Sequence, residues 1–131
     1  MISYRFALEF PSFVTHLFTF AVPYLAVTDT FIPMDAFVKL IPTIRYQLQF
    51  GSEEDLNESY TKDKTGIRNY LNAMYFGRSP EGELAMTPAE GCNTELAPAL
   101  GWSQLVSEEE LKYYVDEYAR KGLRGPCKFY A

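Results

Sequence analysis

The sequence predicts a mostly helical fold that is preceded by one buried strand. The strand is indicated by the apolar run from Phe13 to Val27, whose brevity and richness in Phe and Val are typical of a strand buried on both faces of a parallel sheet. Apolar residues then recur at helical spacing along several segments of the remaining chain. With 131 residues, 47% of them apolar, the chain is long enough for one small domain with a core.

The helices predicted before residue 77 are delimited mainly by proline and glycine. A helix end over residues 1–10 is predicted to stop at Pro11. The next helix is closed by Pro42 and has apolar residues spaced at i, i+3, i+4 and i+7, namely Met34, Phe37, Val38 and Ile41. Further helical stretches are predicted over 43–50, 52–59 and 64–76, and Gly77 ends the last of them.

The second half of the chain is predicted to contain an ordered loop, one well-defined helix and an extended end. Residues 77–106 contain four Gly and three Pro among apolar residues that need burial, which is typical of an ordered loop. Ser107 and Glu110 form a capping-box pattern that predicts the start of a helix, and Gly122 predicts its end. The stretch over 125–131 is predicted to be extended.

The composition argues against several classes of partner. The formal charge of −5 makes a nucleic-acid binder unexpected, because phosphate binding requires a basic face. Cys92 and Cys127 lie in no metal-ligating pattern, so they are interpreted as reduced thiols, and no metal or other cofactor is expected. The run from Phe13 to Val27 is shorter than the ~20 residues of a membrane span, so no membrane partner is expected. No signal-peptide pattern precedes it, which predicts a cytoplasmic protein.

Tyrosine is the residue type that stands out as a source of chemistry. The sequence has no nucleophile elbow and no phosphate loop, and its single histidine, His16, is interpreted as structural because no nucleophile can be identified beside it. A phenol has a pKa of about 10, so two converging tyrosines can donate hydrogen bonds to an oxygen that gains negative charge. Four other tyrosines are interpreted as packing residues on helices: Tyr70, Tyr75, Tyr113 and Tyr114.

Several segments resemble epoxide hydrolases of the α/β-hydrolase superfamily, particularly microbial members. The segments RYQLQF at 45–50 and GPCKFY at 125–130 are similar to the paired motifs of that family's cap domain, and segments 70–78 and 110–118 are similar to cap segments between them. Upstream, FVTHLF at 13–18 resembles the core strand that precedes the cap. The resemblance implies a helical cap, or lid, domain over 28–131, preceded over 1–27 by a helix end and one strand of an α/β-hydrolase core.

The resemblance also implies a function for particular residues. In that family an aspartate attacks an epoxide carbon, two cap tyrosines bind and protonate the departing oxygen, and a histidine–acid pair activates water. Carried over by motif, the oxygen-binding tyrosines are Tyr46 and Tyr130, and Gln47 lines the pocket beside Tyr46. The expected partner is an apolar, epoxide-type small molecule, opened either by water or by an internal hydroxyl, as in the biosynthesis of a secondary metabolite.

The sequence departs from the family pattern at two levels. In the second motif Lys128, Phe129 and Ala131 replace the usual Asn, Trp and Arg, and no aspartate of the chain substitutes for the nucleophile. The chain is therefore expected to be incomplete for turnover alone, with a missing core segment or a second copy as its partner. Two alternatives stay open: a non-catalytic module derived from a cap, which binds an apolar small molecule or a partner chain, and a truncated fragment without an independent role.

Overall fold

The computed structural model describes residues 2–20, 29–52, 62–127 and 130. The acidic helix predicted over 52–59 falls, apart from Ser52, outside them. The described residues are mostly helical, with one small two-stranded sheet. They divide into two compact units, Met1–Phe31 and Ile32–Ala131. None of the helices in these described ranges combines the length and the apolar character needed to cross a membrane.

The first unit contains a helix but no described strand. Helix α1 (Ile2–Glu9) is followed by a single 3₁₀ turn at Pro11–Phe13, which confirms the predicted helix stop at Pro11. The strand predicted to run from Phe13 to Val27 is not seen in its described part, because 14–20 form no ladder and a strand exists only when paired. Its remaining residues, 21–27, lie outside the described ranges. No side chain in 2–20 is buried.

The second unit begins with two short helices and a longer one. Helix α2 (Met34–Leu40) is followed by a 3₁₀ turn at Pro42–Ile44, helix α3 (Tyr46–Gly51) and helix α4 (Lys64–Met74), which confirms the helices predicted there. The Asp63 carboxylate caps α4 by accepting a hydrogen bond from the Gly66 N–H at 2.8 Å. Phe76, rather than Gly77, takes the left-handed backbone conformation after α4, with φ of 63°.

Helix α5 (Glu108–Lys121) packs against α4, and the two helices supply six of the twelve residues of the buried core cluster. Leu111 and Val115 of α5 are buried against Ile67 and Leu71 of α4. Leu111 and Val115, one turn apart, are the two residues of α5 whose side chains are buried. Around them lies one continuous cluster of buried residues: Phe50, Ile67, Tyr70, Leu71, Ala73, Ala85, Met86, Cys92, Ala97, Leu111, Val115 and Leu123.

Two local predictions for the second unit are wrong. The segment interpreted as a loop over 77–106 contains a β-hairpin in which β1 (Met86–Thr87) pairs antiparallel with β2 (Gly91–Cys92). Strands of two residues are too short to produce an alternating pattern, so the sequence carries no periodic signal for them. The end predicted to be extended instead forms helix α6 (Arg124–Cys127), whose Cys127 N–H donates to the Leu123 carbonyl at 3.1 Å.

Replacing Ser107 by alanine is expected to lower the free energy of unfolding by about 1 kcal/mol. The Ser107 hydroxyl accepts from the Glu110 N–H at 3.2 Å, and the Glu110 carboxylate accepts from the Ser107 N–H at 2.8 Å, which confirms the predicted capping box. Urea unfolding followed by circular dichroism measures the change. The control is Thr94→Ala, which removes an exposed turn hydroxyl and should stay within about 0.5 kcal/mol of the unmodified chain. Equal effects of the two substitutions would contradict the capping role.

Candidate functional site

An open groove in the second unit, with a volume of about 440 Å³, is the candidate site. Its wall is built from aromatic, aliphatic and sulfur-containing side chains of α3, α4, α5 and the C-terminal segment. The residues that line it are Phe50, Tyr70, Leu71, Met74, Tyr75, Tyr118, Pro126, Cys127 and Tyr130. None of these lining residues carries a formal charge at neutral pH. The groove therefore suits an apolar ligand that presents a few hydrogen-bond acceptors.

Three aromatic rings meet beside the groove, two of which, Phe50 and Tyr130, line it. The ring centroids of Tyr46 and Tyr130 are 6.0 Å apart with planes at 70°, and Phe50 lies 5.3 Å from the first and 5.5 Å from the second. All three pairs have the edge-to-face geometry that aromatic rings favour. Tyr46 begins α3 and Tyr130 follows α6, so two segments that are far apart in sequence bring their phenols together.

The hydroxyl groups of the two tyrosines form a small polar cluster in this apolar setting. Tyr130 is hydrogen-bonded to Tyr46, and the Gln47 Nε2 group donates to the Tyr46 hydroxyl oxygen at 3.3 Å. Burial raises the pKa of Tyr130, and the neighbouring Tyr46 and Cys127 raise it further. The Tyr130 phenol therefore keeps its proton at neutral pH and is available as a hydrogen-bond donor.

Helix α3, which carries Tyr46, is anchored to the β-hairpin at two places. The Tyr46 N–H donates to the Pro88 carbonyl at 3.2 Å. One turn later, the Gln49 side-chain amide pairs with both backbone groups of Cys92: Nε2 donates to the carbonyl at 2.8 Å and Oε1 accepts from the N–H at 2.7 Å. Phe50 buries its ring in the core beside them.

The base of the groove contains a further phenol and a thiol. Tyr70 is buried, and its pKa is raised above the ordinary value mainly by that burial, with smaller contributions from Cys127 and Cys92. Both cysteines are reduced thiols, and burial raises the pKa of Cys127 as well. These groups are neutral at pH 7, so the groove presents donors rather than fixed charges.

The remaining residues singled out from the sequence lie away from the tyrosine pair. Tyr75 stacks on Tyr114 with centroids 6.1 Å apart, which confirms the packing role of these two. Tyr113 is 63% exposed and packs its ring edge-to-face on Tyr114, with centroids 5.8 Å apart. His16 belongs to the first unit, where it is exposed and stacks on Phe18, rather than being enclosed in a strand. Within the described ranges, no group of three metal-ligating side chains is found.

Sequence reasoning missed Gln49, Phe50 and Cys127 as parts of this site. All three lie within the segments 45–50 and 125–130, but neither periodicity nor composition distinguishes them from their neighbours. Gln49 lies one helical turn after Tyr46, and this spacing is the only signal that could have pointed to it. Lys128 and Phe129, the departures from the family pattern next to Tyr130, lie outside the described residues.

Comparison with known proteins identifies relatives along almost the whole chain. Epoxide hydrolase srdG of Neurospora crassa is 33% identical in an alignment of 131 positions, which covers 98% of this chain and 38% of that protein. Bifunctional epoxide hydrolase 2 of Mus musculus is 26% identical over 140 residues, covering 97% of this chain and 23% of the relative. The Sus scrofa protein of the same name is 28% identical over 138 residues, covering 97% and 22%. No protein-family model matches the chain. The chain thus spans well under half the length of these relatives.

Proposed function

We propose that this chain, an epoxide hydrolase-like region along nearly its whole length, forms the part of an epoxide-opening site that binds the oxygen. The observation that carries the proposal is the meeting of Tyr46 and Tyr130, with ring centroids 6.0 Å apart, beside an uncharged groove that Tyr130 lines. Tyr46, Tyr130 and Gln47 are the site residues, and the substrate is an apolar epoxide. On this proposal residues 28–131 are the cap and residues 1–27 belong to an α/β-hydrolase core.

The proposed step places two donors where negative charge develops. A carboxylate nucleophile from the core forms a bond to one epoxide carbon, the bond from that carbon to oxygen breaks, and its electron pair stays on the oxygen. Tyr46 and Tyr130 donate hydrogen bonds to this oxygen, and one phenol transfers its proton to it and later regains a proton from water. Because the charge appears only as the bond breaks, the donors stabilise the transition state more than the bound epoxide.

Gln47 has a supporting part in this arrangement. Its Nε2 group donates to the Tyr46 hydroxyl oxygen at 3.3 Å, so it occupies an acceptor position of that phenol and leaves the phenolic proton directed elsewhere. An amide donor in this place also stabilises the phenolate that forms if Tyr46 is the group that releases its proton. Gln47 therefore acts through Tyr46, since it is not among the residues that line the groove.

The nucleophile and the water-activating pair are proposed to lie in a part of the α/β-hydrolase core that these 131 residues do not supply. Exposed apolar side chains in the first unit support this proposal, because an apolar surface of this kind is typical of one that another part of a protein covers. Large apolar side chains that are at least 60% exposed there are Ile2, Leu8, Phe13, Phe18, Phe20 and Phe31. The length of the relatives, of which the chain spans 38% or less, leaves room for such a core.

A second candidate function is the binding of an apolar molecule without chemistry. The hydroxyls of Tyr46 and Tyr130 bond to each other, and the groove wall is uncharged and mostly apolar, so a hydrocarbon fits the groove. The two functions differ in one property. Oxygen binding requires that an epoxide be preferred over a ligand of the same shape without the oxygen.

The test compares the affinities of styrene oxide and cyclopropylbenzene, in which a CH₂ group replaces the epoxide oxygen. We expect Tyr46→Phe and Tyr130→Phe each to lower the preference for styrene oxide about 2- to 10-fold, the usual net value of one hydrogen bond. Titrations followed by NMR measure both affinities. Tyr113→Phe is the matched control, since this tyrosine is 63% exposed and absent from the groove wall, and it should change nothing.

Three outcomes separate the proposals. A preference for styrene oxide that depends on both tyrosines supports oxygen binding. Equal binding of the two ligands by the unmodified chain supports the non-catalytic alternative and contradicts oxygen binding. Formation of the diol from styrene oxide by the 131-residue chain alone, lost in Tyr46→Phe, would support the role of the tyrosine and overturn the placement of the nucleophile in a separate core.

A further inference from the structure

We infer that Gln49 is a positioning residue that sets the place of the Tyr46 phenol by fixing helix α3 to the β-hairpin. The inference rests on the proposed function for its meaning, since it concerns how one of the two oxygen donors is held. It assigns a role to a side chain that neither touches the groove nor donates to the ligand. It also assigns a role to the hairpin, which is otherwise distant in sequence from both tyrosines.

Both polar atoms of the Gln49 side-chain amide are hydrogen-bonded. Its Nε2 group donates to the Cys92 carbonyl at 2.8 Å, and its Oε1 atom accepts from the Cys92 N–H at 2.7 Å. Cys92 is 4% exposed, so neither backbone group has ready access to water as a replacement partner. The Gln49 side-chain amide therefore pairs with the Cys92 backbone as a neighbouring strand would, through one donated and one accepted hydrogen bond.

The position of Tyr46 follows from this pairing and one more contact. Its own N–H donates to the Pro88 carbonyl at 3.2 Å, so the start of α3 is held by the hairpin turn while Gln49 holds the next turn of the helix. A helix of six residues has little stability of its own. Two anchors on one rigid partner supply the fixed geometry that this short helix cannot provide by itself.

Gly91 provides independent evidence that the hairpin is shaped to receive the Gln49 amide. A Cβ atom added at Gly91 would lie 2.5 Å from Gln49 Oε1, well inside contact distance. The backbone at Gly91 has φ of 84°, which also favours glycine. Gly82 separates the two effects, because it has φ of 88° but nothing within 4 Å of its added Cβ. Gly91→Ala and Gly82→Ala therefore carry the same backbone strain and differ in the clash with Gln49.

The first experiment measures ring contacts without any ligand. In protein with isotope-labelled tyrosine and phenylalanine, NMR should detect contacts of Tyr46 with Phe50 and Tyr130, and the separate contact between Tyr75 and Tyr114. We expect Gln49→Leu, which is similar in size but cannot bond to Cys92, to remove the Tyr46 contacts and keep the Tyr75–Tyr114 contact. Loss confined to Tyr46 is the signature of positioning, since general destabilisation would affect both sets.

The second experiment uses the glycine pair and the two ligands. Gly91→Ala should reduce the preference for styrene oxide over cyclopropylbenzene about as much as Tyr46→Phe does, roughly 2- to 10-fold, and Gly82→Ala should leave it unchanged. If Gln49→Leu unfolds the chain, this pair decides the matter alone: equal behaviour of Gly91→Ala and Gly82→Ala, in ring contacts and in preference, overturns the inference.

The two experiments also separate this inference from the proposed function. If the unmodified chain shows no preference for the oxide, but Gln49→Leu selectively removes the Tyr46 ring contacts, the oxygen-binding proposal fails and the placement of Tyr46 by Gln49 is supported. If the preference is present and Tyr46 keeps its ring contacts in folded Gln49→Leu protein, the oxygen-binding proposal stands and the positioning role is overturned.

Discussion

Replacing Leu111 by alanine is expected to lower the free energy of unfolding by about 2–5 kcal/mol. Leu111 lies in the first turns of α5 and is 0% exposed, which makes it one of the most completely buried side chains of the second unit. Removal of its branched end loses apolar contact with the α4 side of the core and leaves a cavity that the two packed helices cannot easily close. Urea unfolding followed by circular dichroism and tyrosine fluorescence measures the loss.

The control for this substitution is Leu105→Ala. Leu105 is 66% exposed in the loop before α5, so its truncation should change the free energy of unfolding by no more than about 0.5 kcal/mol. Equal effects of the two substitutions would contradict the assignment of the α4–α5 contact as the centre of the core. Leu111→Ala is also expected to disturb the groove, because α4 and α5 supply the Tyr70, Met74 and Tyr118 side chains of its wall.

The helices of the second unit could be predicted from the sequence because their signals are local. The Ser107–Glu110 capping box and the Gly122 stop lie within one turn of the ends of α5, and both features form as predicted. Pro42 after α2 likewise acts through its own backbone, which cannot continue the helix. Such features require no knowledge of what the helix packs against.

The hairpin and the first unit could not be predicted in the same way. The pairing of Met86 with Cys92 depends on a turn at 88–90 and on the Gln49 amide from another segment, and no pattern of apolar residues encodes either. In the first unit, the composition of the apolar run after Pro11 predicts a buried strand. A strand needs a neighbour to pair with, and composition carries no information about the neighbour.

The resemblance suggests three residues for the candidate site, but the sequence does not show how the fold brings them together. Tyr46, Gln47 and Tyr130 were chosen through resemblance to a family, and the structure places these three together through the hydrogen bonds and the ring contact described above. Without the resemblance, composition does not distinguish Tyr46 and Tyr130 from the other aromatic residues of the chain. The role inferred for Gln49 depends on a contact between residues 43 positions apart, which only the folded chain reveals.

Substitution of Asn72 by alanine is expected to cost about 2–4 kcal/mol of the free energy of unfolding, because it leaves a buried backbone donor without its partner. The Asn72 Oδ1 atom accepts from the Ser103 N–H at 3.0 Å, and its Nδ2 group donates to the Gly101 carbonyl at 3.0 Å. Ser103 is 1% exposed, so water cannot easily replace the lost acceptor. A Cβ atom at Gly77 would lie 2.6 Å from Asn72 Nδ2, which shows how closely the surrounding loop fits this side chain.

The matched control is Asn93→Ala, which isolates burial as the cause. Asn93 also accepts two backbone hydrogen bonds through Oδ1, from the Glu95 N–H at 3.0 Å and the Leu96 N–H at 3.1 Å, but it lies in an exposed turn. Water can satisfy those donors, so Asn93→Ala should cost about 1 kcal/mol or less. Both variants are compared by urea unfolding at the same pH. If the two variants lose the same free energy of unfolding, burial adds nothing to the contribution of the Asn72 amide. A larger loss for Asn72→Ala supports its role in holding the last turn of α4 to the loop that leads into α5.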